Sequence, residues 1–167
     1  MSDEIVNRVV NSVLITFDLE DLYVPGDRVK VDLSQWLEQG FVLREKEFRT
    51  AITSFDWYIY KDCYVALFCS TDAILPAWAS LLITAQLNPV TKQIVWGSLQ
   101  DLEHQIFAKA IDELDLSSFE SKPVIVKGCS EKQIPESAFV YLIQKLQPVV
   151  KSLFYGEACS SVPLFKK

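Results

Sequence analysis

Three of the four cysteines in this 167-residue chain share a local context. Cys69-Ser70 closes the apolar run CYVALFC (63–69), Gly128-Cys129-Ser130 closes PVIVKGC (123–129), and Cys159-Ser160 follows VVKSLFYG (149–156). Apolar runs of this length between turn signals read as buried strands. Each of the three thiols is therefore expected at, or just beyond, the carboxyl end of a strand, the edge where ligands bind in open α/β sheets. Thiols 60 and 30 residues apart in the chain would meet there if their strands are parallel and close in one sheet.

Thiolates are soft ligands that select zinc, Cu(I) or iron–sulfur clusters. A structural zinc takes four ligands, so Cys69, Cys129 and Cys159 leave one position open. Asp72, three residues past Cys69, and Glu157, two before Cys159, are the expected carboxylates for it, and Glu131 lies two past Cys129. Water or a substrate could also fill it. An iron–sulfur cluster on three cysteines would leave one iron open or on a non-cysteine ligand. Zinc is the first expectation and an iron–sulfur cluster the alternative.

Cys63 stands at the opposite end of the Cys69 strand, six residues and about 20 Å away, and reads as a small buried hydrophobe. A second reading makes Cys129 the nucleophile of a thiol enzyme, activated by helix-start amides and by Lys127 and Lys132. It lacks a general base: the single histidine, His104, falls on the helix face opposite Ile106 and is expected at the surface. The acidic group Asp18, Glu20 and Asp21 could hold a hard cation but reads first as a solvated strand end. Trp57, Tyr58 and Tyr60 read as core packing or a surface cap. A third reading is a non-catalytic interaction module docking a partner through an aromatic surface.

Several elements must position these groups. Residues 2–11 predict a short amphipathic helix with Ile5, Val6, Val9 and Val10 in one stripe. VLITFDL (13–19) and residues 28–32 read as strands. A short helix passes through Trp36 and Leu37 to Gly40, and another covers 44–54. From residue 63 strands and helices alternate: strand 63–69, helix 74–87, strand 92–97, helix 99–114, strand 123–129, helix 135–147 and strand 149–156, with the tail EACSSVPLFKK as an extended loop. This pattern predicts one α/β domain over 1–167, a mostly parallel sheet of about five strands with helices packed on it. No internal repeat, linker or second domain is expected.

Composition bounds the rest. Half of the residues are hydrophobic and 23% are charged, enough apolar material for a core. A formal net charge of −6 disfavours nucleic acid and anionic membrane surfaces as partners. No P-loop or G-x-G-x-x-G occurs, so a glycine-rich phosphate cradle is not expected. Neither a signal peptide nor a 20-residue apolar span is legible, which leaves a cytoplasmic location by elimination. A homodimer is compatible with the sequence.

Three segments are distinctive together: EIVNRVVNSVLITFDLED, WYIYKDCYVALFCSTDAILPAWA, and the stretch from VIVKGCSEKQIPESAF to the C-terminus. Over essentially the whole chain they resemble a family of small uncharacterised bacterial cytoplasmic proteins, one of the domain-of-unknown-function families. The resemblance is carried most by Lys127-Gly128-Cys129-Ser130 and by Tyr155-Gly156-Glu157 running into Cys159-Ser160. It implies a link to iron–sulfur assembly or sulfur handling, with a protein partner from that machinery. It supplies no catalytic residues, and Cys63 is the least typical of the four cysteines.

Overall fold

The computed structural model describes residues 14–128 and 131–167. The expected helix over 2–11 lies outside the described residues. The class is α/β with mostly parallel strands, as the alternation predicts. The strands divide between two sheets rather than filling one of about five. By their contacts the residues form two compact units, Val24–Ile106 and Met1–Tyr23 with Phe107–Lys167.

The first unit holds the sheet β2-β3-β4, all parallel: β2 is Arg28–Asp32, β3 Tyr64–Phe68 and β4 Gln93–Trp96. Helices α1 (Glu45–Ser54) and α2 (Ala77–Leu87) bury Phe48, Ile52, Ala79, Ile83 and Leu87 with Val31, Val65 and Leu67 on one sheet face. Leu102 and Ile106 of α3 (Leu99–Asp112) join Ala66 and Val95 on the other face. Alternation along each strand sends neighbouring residues to opposite faces, so a strand covered on both sides is apolar throughout. That is why CYVALFC reads as a continuous run.

The second unit holds the order β1-β5-β6-β7, with β1 Ile15–Phe17, β5 Pro123–Val126 and β6 Ser152–Glu157 parallel. The tail is not a loop. Ser160–Lys166 forms β7, antiparallel to β6 across a two-residue turn, Ala158-Cys159. Its exposed, Pro-interrupted sequence hid it: Pro163 and the terminal lysines mark an edge strand, which such residues protect from further pairing. Phe107 and Ile111 of α3 join Ala138, Leu142 and Leu146 of α4 (Glu136–Leu146) over Val124, Val126 and Leu153.

The two units repeat one another, which overturns the expectation of no internal repeat. Residues 43–98 recur as 102–157 at a constant offset of 59, as from Pro76 to Pro135. Phe48 answers to Phe107, Ile52 to Ile111, Ala79 to Ala138 and Leu87 to Leu146, and all eight are at most 1% exposed. The backbone repeats as well. Asp62 and Ser121 both adopt positive φ, 60° and 57°. Their N–H groups donate to Val90 O at 2.8 Å and Val149 O at 3.0 Å, and Lys92 N and Lys151 N donate to Cys63 O and Lys122 O at 2.9 Å each. The opening strand repeats at a different offset, 14: Phe17-Asp18-Leu19 answers to Val31-Asp32-Leu33. Phe17 pairs with Val126 as Val31 pairs with Leu67. Two unequal offsets and few identities kept the repeat out of view in the sequence.

If the units are equivalent, Phe48→Ala and Phe107→Ala should each destabilise the protein by about 3–5 kcal/mol in chemical denaturation, whereas Val140→Ala, at an exposed α4 position, should stay within about 0.5 kcal/mol.

Candidate functional site

Each unit has a polar carboxyl edge built on the same aspartate. In Val24–Ile106, Asp32 ends β2 and caps the 3₁₀ turn Leu33–Trp36. Its Oδ1 accepts from Ser34 N and Ser70 N, both at 3.0 Å, and the Ser34 and Ser70 hydroxyls lie 3.1 Å apart. Burial would raise the Asp32 carboxyl, but hydrogen bonds from Ser70 and Ser34 outweigh it and hold it at about 2. The carboxylate ties the end of β2 to the segment just past β3.

In the other unit, Asp18 ends β1 and caps the 3₁₀ turn Leu19–Leu22, accepting from Glu20 N at 2.9 Å. Its second oxygen accepts from Lys127 Nζ at 2.7 Å. That hydrogen bond, first among the causes, lowers the Asp18 carboxyl and raises the Lys127 ammonium, to whose charge Glu157 and Glu20 also contribute. Glu20 Oε1 accepts from Lys132 N at 2.8 Å, and Lys132 Nζ sits 4.3 Å from the Tyr23 ring centroid. The Tyr155 hydroxyl donates to Gly128 O at 3.5 Å, and its ring meets Phe139 edge-on.

The repeat makes the difference between the edges explicit. Ser34, Phe68 and Ser98 in one unit answer to Glu20, Lys127 and Glu157 in the other. One edge carries hydroxyls and an apolar ring, the other two glutamates and a lysine that pairs with Asp18. Asp18, Glu20 and Lys127 drew attention in the sequence as a solvated strand end and as activators of Cys129. Their pairing across adjacent strands was not foreseen, although the shared Asp-Leu in FDLEDL and VDLSQW signalled it.

The thiols distribute over these elements. Cys63 is buried and its thiol is raised above its ordinary value by burial and by the nearby Asp27 and Asp62 charges. Cys69 is half-buried just past β3, with Sγ 3.4 Å from the Thr71 hydroxyl, which donates to Gly40 O at 2.6 Å. Cys159 is exposed in the β6–β7 turn. Cys129 lies outside the described residues, one peptide beyond Gly128. The strand preceding Cys69 belongs to the three-stranded sheet, and those preceding Cys129 and Cys159 are neighbours in the four-stranded one. The adjacency that motivated a converging site therefore holds for the last two. Asp72 belongs to the unit of Cys69, and Glu131 and Glu157 to that of Cys159. Among the described residues no group of three or more His, Cys, Asp or Glu is arranged to hold a metal ion.

His104 is exposed on α3. Trp57 is buried beside Trp36, Phe55 and Tyr60, its indole donating to Ile52 O at 2.9 Å, and Tyr58 is exposed. Among the described residues no helix is long and apolar enough to cross a membrane.

Fold and site define an α/β protein of two repeated units, one with a charged carboxyl edge on a mostly parallel sheet. A family model described as "Protein of unknown function (DUF2480)" matches residues 3–167, and the chain belongs to that family. No curated protein and no solved structure matches it.

Both aspartates titrate low, so each contributes stability that is fully present above the unfolded carboxylate range near 4 and is lost as pH falls through the folded value. Asp32→Ala should destabilise by about 1–2 kcal/mol at neutral pH, the gap from wild type closing toward pH 2. In Lys127→Met the Asp18 carboxyl should titrate higher than in wild type, measured by NMR.

Proposed function

We propose that the protein binds a soft metal ion, zinc in the first instance, through thiolates at the carboxyl edge of the four-stranded sheet. The observation that carries this is the parallel pairing of β5 with β6, Val126 opposite Tyr155. Gly128, bonded to Cys129, and the turn that bears Cys159 both continue from the same ends of neighbouring strands. Glu157, in the same β6 end, is the carboxylate best placed by sequence to complete the set. Cys69 and Asp72 belong to the other unit, and the proposed set does not include them. An iron–sulfur cluster is the alternative occupant, with a role in cluster assembly or sulfur handling and a partner from that machinery. The duplicated edge supports the choice of unit: Ser70 stands where this edge has Cys129.

Catalysis by Cys129 as a nucleophile is the second reading, favoured by the position of Lys127. Its ammonium is fixed two residues away by Asp18, and a fixed cation favours a thiolate.

Protein purified without air should carry near-stoichiometric zinc or iron by elemental analysis. Cys129→Ser and Cys159→Ser should each lower the bound metal by at least tenfold, and Cys63→Ser should leave it unchanged. Loss in Cys69→Ser as well would make the site a three-thiolate one. Metal-free wild type with one fast-alkylating thiol at Cys129 would replace the metal reading by the nucleophilic one.

A further inference from the structure

The repeat supplies a counterpart against which the outward face of α2 can be compared. Helix α2 buries Ala79, Ile83 and Leu87. Its opposite face holds Ala77, Leu81 and Ala85 at the same four-residue spacing, all exposed. Leu81 is 64% exposed. In α4 the same three positions are Glu136, Val140 and Gln144, a mixed face of the ordinary solvated kind. The repeated frame therefore does not require an apolar stripe there.

The difference extends beyond the helix. Residues 73–91 contain no Asp, Glu, Lys, Arg or His, the longest such stretch in the chain, whereas their counterparts 132–150 include Lys132, Glu136 and Lys145. The loop leading into α2 continues the apolar surface. Ile74 is 96% exposed, and it lines a shallow depression with Phe41, Val42 and Pro76, the residue that precedes α2. Phe41 and Val42 are presented by a closed turn. Glu38 and Val42 exchange backbone hydrogen bonds at 2.8 and 3.1 Å, and the Thr71 hydroxyl donates to Gly40 O at 2.6 Å. A contiguous apolar patch of this kind marks an interaction surface.

We propose that two copies of the chain meet here, α2 against α2 about a two-fold axis. Charge selects this occupant. A chain of net charge −6 repels its own copy over most of its surface. The uncharged 73–91 stretch can face itself without opposing like charges, and a two-fold axis lets one patch serve both copies. Ala77 and Ala85, one turn to either side of Leu81, allow the helices to approach closely. A helix about 16 Å long is small against the ~800 Å² per partner of a standard interface, and the depression at its start enlarges the patch. The thiols take no part in this contact.

The test is sedimentation of the full-length protein, reduced and with a chelator, so that neither a disulfide nor a metal links the copies. Wild type should sediment at twice the chain mass. Leu81→Glu should raise the dimer dissociation constant by at least about thirtyfold and keep its far-UV circular dichroism. Val140→Glu, at the counterpart position in α4, should leave the dimer unchanged. Ala85→Glu is the second variant and decides the matter if Leu81→Glu does not fold. A wild type that stays monomeric up to about 1 mM, a dimer that survives both α2 variants, or an equal loss from Val140→Glu would each overturn the proposal. In the monomeric case, co-sedimentation with phosphatidylcholine vesicles would assign the patch to a lipid surface instead.

Discussion

An aspartate at the end of the opening strand organises each half of this protein. Asp18 and Asp32 turn the chain out of the sheet by accepting from the amide two residues on, and with the remaining oxygen capacity each reaches the neighbouring strand end. A short strand of three or five residues pairs weakly by itself. A carboxylate joining its end to the next strand fixes register where hydrogen-bonded length cannot. The buried leucines that follow, Leu19 and Leu33, both 0% exposed, anchor the turns from below. Removing either carboxylate would free the strand end and orphan the amides it satisfies.

The same frame carries different edges because the second partner of the aspartate differs. Asp32 is met across the sheet by a backbone amide and by hydroxyls, all neutral donors. Asp18 is met by an ammonium that two further carboxylates also influence. The first arrangement is a set of neutral hydrogen-bond donors whose Ser34–Ser70 hydroxyl pair is exposed. The second keeps ionised groups at an open sheet edge, partly screened by water, where their free energy is modest but their field is local. The repeated frame thus carries Glu20, Lys127 and Glu157 in one copy where the other has Ser34, Phe68 and Ser98.

The alternating half of the fold was legible because parallel strands covered on both sides are apolar without interruption, and because Pro76, Pro135 and Pro148 punctuate the helices. Division into two sheets was not, since sequence gives strand order along the chain and not across a sheet. β7 was missed because an exposed edge strand has no apolar period to read. The shared cysteine context was read as convergence on one site. Cys69 and Cys129 both close the same strand of a repeated unit, Cys69 answering to Gly128 and Ser70 to Cys129. The β5–β6 pairing places two of the three segments side by side.

The central claim is that the carboxyl edge of the four-stranded sheet is the working site and the Asp32 edge a structural copy. Backbone amide NMR of the full-length reduced protein, titrated with Zn²⁺, tests it residue by residue. Perturbations centred on Lys127, Gly128 and Tyr155–Ser160, with Ser34 and Ser70 unmoved, are the predicted result. Perturbations centred on Ser34, Ser70 and Thr71, or none at stoichiometric zinc, would contradict it.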